Sequence, residues 1–173
     1  LGPRMTQSKE SLERWWKTPD AWGYKINPDD ADRKERILKA CRKFAPEGGY
    51  KKALDIGAGE GWITKDLPAD EIWGYEISDT AASRWPEDVR RLKGLDYLER
   101  GTFDLVTLCG VLYKQYDWST MIVIAVAAAA AGAKVVTCNI KSWEKYHFLE
   151  DMKLYEEEFP YRQYTERLAI YGF

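Results

Sequence analysis

Asp55, Gly57, Gly59, Gly61 and Glu76 are the residues whose types and spacing most clearly carry chemistry. Three glycines alternate after an acid, in Asp55-Ile56-Gly57-Ala58-Gly59-Glu60-Gly61. Glycines accept positive φ and let a ligand approach bare backbone. A helix N-terminus behind such a turn would offer free N–H groups and partial positive charge to an anionic group. Glu76 follows about twenty positions after Asp55, the separation expected for an acid at the tip of the next parallel strand. A carboxylate there accepts hydrogen bonds from two vicinal hydroxyls. The alternative is that Glu76 caps a helix beginning at Asp79.

The elements that must position these residues are a strand, a turn and a helix start. Lys52 to Ile56 is a short apolar run suited to a buried strand, and the segment after Gly61 is compatible with a helix. A dinucleotide fingerprint would need its third glycine where Trp62 stands, and a bulky indole obstructs a pyrophosphate-cradling helix. The phosphate-loop lysine with its following Ser/Thr is missing as well. An acid followed by G-x-G-x-G resembles motif I of the class I S-adenosyl-L-methionine (SAM) methyltransferases. Gly74-Tyr75-Glu76-Ile77-Ser78 resembles their motif II.

Length and charge narrow the class. The 173 residues suit one domain with a real core, and a formal charge of −2 with interleaved signs gives no basic stripe for nucleic acid. Cys41, Cys109 and Cys138 are odd in number and lack C-x-x-C spacing, which suits a reduced, cytoplasmic protein without zinc or structural disulfides. No signal segment is recognised, and the longest apolar run, Met121 to Ala133, is too short to span a bilayer and reads as a buried helix. No membrane partner and no metal are expected. Leu1 to Arg4, ahead of Met5, read as residues added before a natural start.

Before the glycine turn the chain is helical in character. Ser8 to Trp16 reads as a short amphipathic helix ending before Pro19; Asn27 or Asp29 caps a second helix through Ile37, Leu38, Cys41 and Phe44, stopping near Pro46. These helices either cover a sheet edge or form a lid over the ligand. Asp20-Ala21-Trp22-Gly23-Tyr24, followed by Asn27-Pro28, resembles the Asp-Pro-Trp-x-Tyr segment of the nodulation-protein S type N-methyltransferases, with Ala21 in place of the proline. The resemblance implies a lid over SAM at residues 5–46 and a catalytic core at 50–173.

Further strands are expected at Glu71–Ser78, with the acid Glu76 at its tip, Val89–Leu92, Thr102–Leu108 and Ala133–Ile140, with an alanine-rich helix from Trp118 to Ala131 ended by Gly132. Lys141 to Phe148 begins a further helix or a loop leading to one. Met152–Phe159 and Tyr164–Phe173 have no helix between them and should pair antiparallel. The fold class is therefore α/β: a seven-stranded Rossmann-like class I methyltransferase sheet with an N-terminal helical lid. Asn/Asp-Pro-Pro-Tyr, the motif of adenine and glutamine methylases, is absent after the fourth strand, so no DNA is expected as partner.

The resemblance implies where SAM and its product S-adenosyl-L-homocysteine sit. Asp55, Gly57, Ala58, Gly59, Gly61 and Trp62 would hold the methionine portion; Glu76 and Ile77 the ribose; Asp96 and Tyr97 the adenine, unless Asp96 is only part of a surface turn; Cys109 lies at the end of the fourth strand. Trp22 or Tyr24 could face the sulfonium through cation–π attraction. The acceptor would sit against Tyr113, Gln115, Tyr116 and Trp143. His147, the only histidine, and Tyr113 are the candidates for a general base, with a structural histidine as the alternative. The expected activity is methyl transfer to N or O of a small-molecule or saccharide-like acceptor. RNA or protein methylation, a non-catalytic SAM-binding module and, less favoured by Trp62, a dinucleotide oxidoreductase are the alternatives.

Overall fold

A computed structural model describes residues 7–173; Leu1 to Arg4 lie outside the described residues. Ser8 caps helix α1 (Lys9–Trp15) by accepting the Ser11 N–H, and Asn27 caps α2 (Pro28–Lys43) by accepting the Asp29 N–H, with Pro28 in the first turn. The strands are β1 (Tyr50–Ile56), β2 (Ala69–Tyr75), β3 (Val89–Leu92), β4 (Phe103–Cys109), β5 (Ala129–Ile140), β6 (Lys153–Tyr161) and β7 (Tyr164–Gly172). A four-residue helix, α3 (Asp79–Ala82), follows β2, and α4 (Trp118–Ala128) precedes β5.

All seven strands form one sheet in the order β3-β2-β1-β4-β5-β7-β6. β1 to β5 run parallel, and β7 is antiparallel to both β5 and β6. The side-chain alternation of strands divides the core between the two faces. Leu54, Ile56, Val106 and Leu108 lie in one buried cluster with Ile124, Ala125 and Ala128 of α4. Ala53, Leu105, Val136, Leu168 and Ile170 join Ile37, Leu38 and Cys41 of α2 in the other. The parallel order reverses between β1 and β4, so the carboxyl ends of these strands open on a crevice at the switch point.

Three local expectations are corrected. No α-helix follows the glycine turn: only a 3₁₀ turn, Thr64–Asp66, fits between Gly61 and β2, because Pro68 and the early start of β2 leave too little chain. The alanine-rich helix ends at Ala128, and Ala129 passes directly into β5, where it pairs with Phe103. Lys141 to Phe148 forms no α-helix; it is a loop pinned to the loop after β4 by a Tyr113–Glu144 bridge and the Lys145 N–H to Leu112 C=O bond of 2.8 Å. Among the described residues, no helix is long and apolar enough to cross a membrane.

Candidate active site

The glycine turn is held by the tip of β2. The N–H groups of Gly57 and Ala58 both donate to the Tyr75 carbonyl, at 2.8 and 3.0 Å, and the Gly59 N–H donates to Glu76 Oε1 at 2.8 Å. Gly57 needs to be glycine twice over: φ is +76°, and a Cβ there would stand 2.3 Å from Val111 Cγ1. With these amides spent internally and no helix behind them, the turn is not the anion cradle that the sequence suggested. It is a neutral bend carrying a carboxylate.

Glu76 is 8 % exposed, and its Oε2 accepts the Ser78 N–H at 2.9 Å. Burial raises its pKa against those two hydrogen bonds. The cap of α3 is Ser78, whose hydroxyl accepts the Ala81 N–H, so Glu76 supports that helix only through the residue before it. Each carboxylate oxygen retains acceptor capacity for a ligand hydroxyl. Asp55, at the end of β1, accepts the hydroxyls of Thr64 at 2.7 Å and Thr107 at 2.8 Å, and burial pushes it up to about 6.

Both acids line a cavity of about 500 Å³ over the carboxyl ends of the strands. Trp22, Tyr24, Gly57, Ala58, Gly59, Trp62, Ile77, Cys109, Tyr113, Gln115, Tyr116 and Trp143 line it too, so most of the sequence candidates are brought together. Gly61 does not line it; its α-carbon faces Trp85, whose Cδ1 would be 3.0 Å from an added Cβ. Asp96 and Tyr97 form a 3₁₀ turn after β3 outside the cavity lining, with Tyr97 74 % exposed.

The base candidates are placed differently from expectation. His147 is exposed and outside the cavity lining, with Nδ1 3.5 Å from Arg167 Nη2. Its position offers no contact with a ligand in the cavity. Tyr113 lines the cavity, but its hydroxyl accepts the Ile140 N–H at 2.8 Å, and burial drives its pKa far above the usual phenol range. It is a wall and a brace rather than a base.

Several lining residues escaped the sequence reading. Trp16 is buried against the glycine turn, its Cη2 3.1 Å from where a Gly59 Cβ would stand. Gln7 donates its N–H to the Gln115 carbonyl at 2.7 Å, so the N-terminal segment reaches across to the loop after β4. That loop is shaped by Asn139, whose Oδ1 accepts the N–H groups of Val111 and Leu112. Arg33 of α2 donates from Nε to Glu166 Oε1 at 2.5 Å, and Tyr161 donates to Asp30 at 2.5 Å. The available signal was on α2: Asp30, Arg33, Ile37 and Cys41 share one helical face, and charges on an otherwise apolar face imply buried partners.

No protein-family model matches the chain, and no curated protein matches it by sequence. Solved structures do match in fold. The N-methyltransferase NodS from Bradyrhizobium japonicum WM9, in complex with S-adenosyl-L-homocysteine, superposes with a TM-score of 0.75 at 19% identity, covering 96% of this chain and 98% of that one. Magnesium protoporphyrin IX methyltransferase from Synechocystis PCC 6803, with bound SAM, gives 0.66 at 14% identity over 99% of both chains. The 1,6-didemethyltoxoflavin-N1-methyltransferase of Burkholderia thailandensis gives 0.61 at 14% identity, covering 94% of this chain and 85% of that one. The fold is that of the class I methyltransferases.

Proposed function

We propose that the chain is a SAM-dependent methyltransferase acting on nitrogen or oxygen of a small polar acceptor. The observation that carries this reading is Glu76: a buried, cavity-facing carboxylate fixed by Gly59 and Ser78, with capacity left on both oxygens for a ribose diol. The turn beside it has spent its amides, which suits an adenosyl ligand without phosphates better than a dinucleotide. The cavity lining holds four carboxylates, Asp55, Glu76, Asp117 and Glu166, against two guanidiniums, Arg33 and Arg162, a balance that favours a cationic ligand.

SAM supplies an electrophilic methyl group on a sulfonium. The residues of this chain contribute orientation and exclusion of water. Trp16 covers the turn from the N-terminal side, Trp22 and Tyr24 line the cavity with it, and this segment acts as the lid of a single catalytic unit. Tyr113, Tyr116 and Trp143 form an aromatic wall; the Tyr113 and Trp143 rings meet edge-on at 5.6 Å and Tyr113 and Tyr116 lie 6.2 Å apart. Such a wall stacks a ring or sugar and leaves its polar rim free to hydrogen-bond. The free thiols of Cys41, Cys109 and Cys138 suit the reducing cytoplasm.

The test is incubation of the protein with methyl-labelled SAM and separated cell fractions. Label in a small-molecule fraction is the expected result. Label only in RNA or protein would replace the acceptor class, and no label in any fraction would leave a binding module.

A further inference from the structure

Glu166 is a charged side chain with no exposed surface, yet it lines the cavity. Its two oxygens are unequal. Oε1 accepts from Arg33 Nε at 2.5 Å and from the Cys138 thiol at 3.5 Å. Oε2 is buried without any hydrogen-bond partner among the described residues. A buried carboxylate oxygen left unpaired is costly, and a ligand N–H donor is what would relieve it.

The sheet order says which part of a ligand would meet it. Glu166 lies on β7, opposite Ile140 of β5, and β7 stands three strand positions from β1 and four from β2. At the usual strand spacing that is about 14 Å from the strand carrying the glycine turn and about 19 Å from the one ending at Glu76. Glu166 is therefore on the side of the aromatic wall: the N–H of Ile140, its register partner, donates to the Tyr113 hydroxyl, and Tyr113 meets Trp143. The same wall holds Tyr161 and Tyr164.

We propose that Glu166 Oε2 receives the N–H of an amine acceptor and so selects nitrogen over oxygen as the methylated atom, an inference that rests on the methyltransferase reading above. In the transfer the amine lone pair attacks the sulfonium methyl; the C–N bond forms, the S–C bond breaks, and its electron pair stays on sulfur as a neutral thioether. Positive charge moves from sulfur to nitrogen, and the product ammonium later gives one proton to water. A fixed carboxylate beside the nitrogen stabilises that growing charge. Arg33 holds Oε1 and thereby orients Oε2. An acceptor bound as the ammonium gives one proton to water before its lone pair attacks, so no dedicated base is required, which agrees with the position of His147 outside the cavity lining.

The test uses full-length protein saturated with S-adenosyl-L-homocysteine and two probes of one shape, benzylammonium and benzyl alcohol, titrated by calorimetry. The wild type is expected to bind benzylammonium at least about tenfold more tightly, the size of one charge-assisted hydrogen bond. Glu166→Gln is expected to reduce the preference to within about twofold, with S-adenosyl-L-homocysteine affinity changed by less than about threefold. Glu166→Asp, which keeps the charge for Arg33 but withdraws the carboxylate, is expected to lose most of the preference and serves if the glutamine variant does not fold. Equal binding of the two probes by the wild type would overturn the inference, as would an unchanged preference in both variants or a main loss in cofactor affinity. Failure of the wild type to bind S-adenosyl-L-homocysteine would instead remove the methyltransferase reading itself.

Discussion

Glu76 Oε1 accepts the Gly59 N–H at 2.8 Å, so the tip of β2 and the glycine turn after β1 form one rigid corner. The strand pairing brings the two together: Ile56 sits opposite Tyr75, and each chain then turns toward the other. The carboxylate thus has a structural partner on each oxygen before any ligand arrives. Such pre-orientation lowers the ordering needed on binding.

Glu76→Ala is expected to weaken S-adenosyl-L-homocysteine binding by about 2–4 kcal/mol, the loss of two charge-assisted hydrogen bonds. Calorimetric titration of the folded variant measures it. Unchanged affinity would reduce Glu76 to a brace for the turn and Ser78.

α1 is latched to α3. Glu13 accepts the Asp79 N–H and the Thr80 hydroxyl, each at 2.5 Å, while Trp16 covers Gly59. Glu13→Ala is expected to speed amide exchange across residues 9–24 and to leave global stability within about 1 kcal/mol, since the contact is at the surface. Cofactor affinity should fall several-fold. Protection and affinity both unchanged would mean that α1 is a fixed cover with no gating role.

Asp55 gives a pH signature. Burial pushes its carboxyl up to about 6, with the Thr64 and Thr107 hydroxyls opposing the rise. The native state therefore holds this proton more tightly than the unfolded chain, whose carboxyl titrates near about 4. Between those values stability falls as pH rises, by about 3 kcal/mol once both are passed. Asp55→Asn is expected to lack this loss, so urea unfolding should show the variant gaining on the wild type from pH 4 to pH 7. Parallel profiles would show that Asp55 is not buried as a charge.

The strands were legible because apolar runs ending in glycine or an acid are local signals. Lys52–Ile56, the acid at Glu76 and the paired tail around Pro160 needed only neighbouring residues to be read, and the structure has them at β1, β2 and the β6–β7 hairpin. The missing helix after Gly61 was not legible, since helix-compatible residues say nothing of how early β2 must begin. The Ala129 boundary failed for a similar reason: alanine favours helix, but pairing with Phe103 overrides it. Arg33 and Glu166 are 133 positions apart, and only the meeting of α2 with β7 reveals them as partners. His147 attracted attention by its chemistry alone, yet the loop turns it toward Arg167 and away from the cavity.

The central claim is that the Glu76 corner holds an adenosyl cofactor of the SAM type and not a dinucleotide. Calorimetry on the full-length protein, titrated separately with S-adenosyl-L-homocysteine and with NADH, tests it most directly. The expected result is one-to-one binding of S-adenosyl-L-homocysteine and no measurable heat with NADH. Binding of NADH without binding of S-adenosyl-L-homocysteine would contradict it.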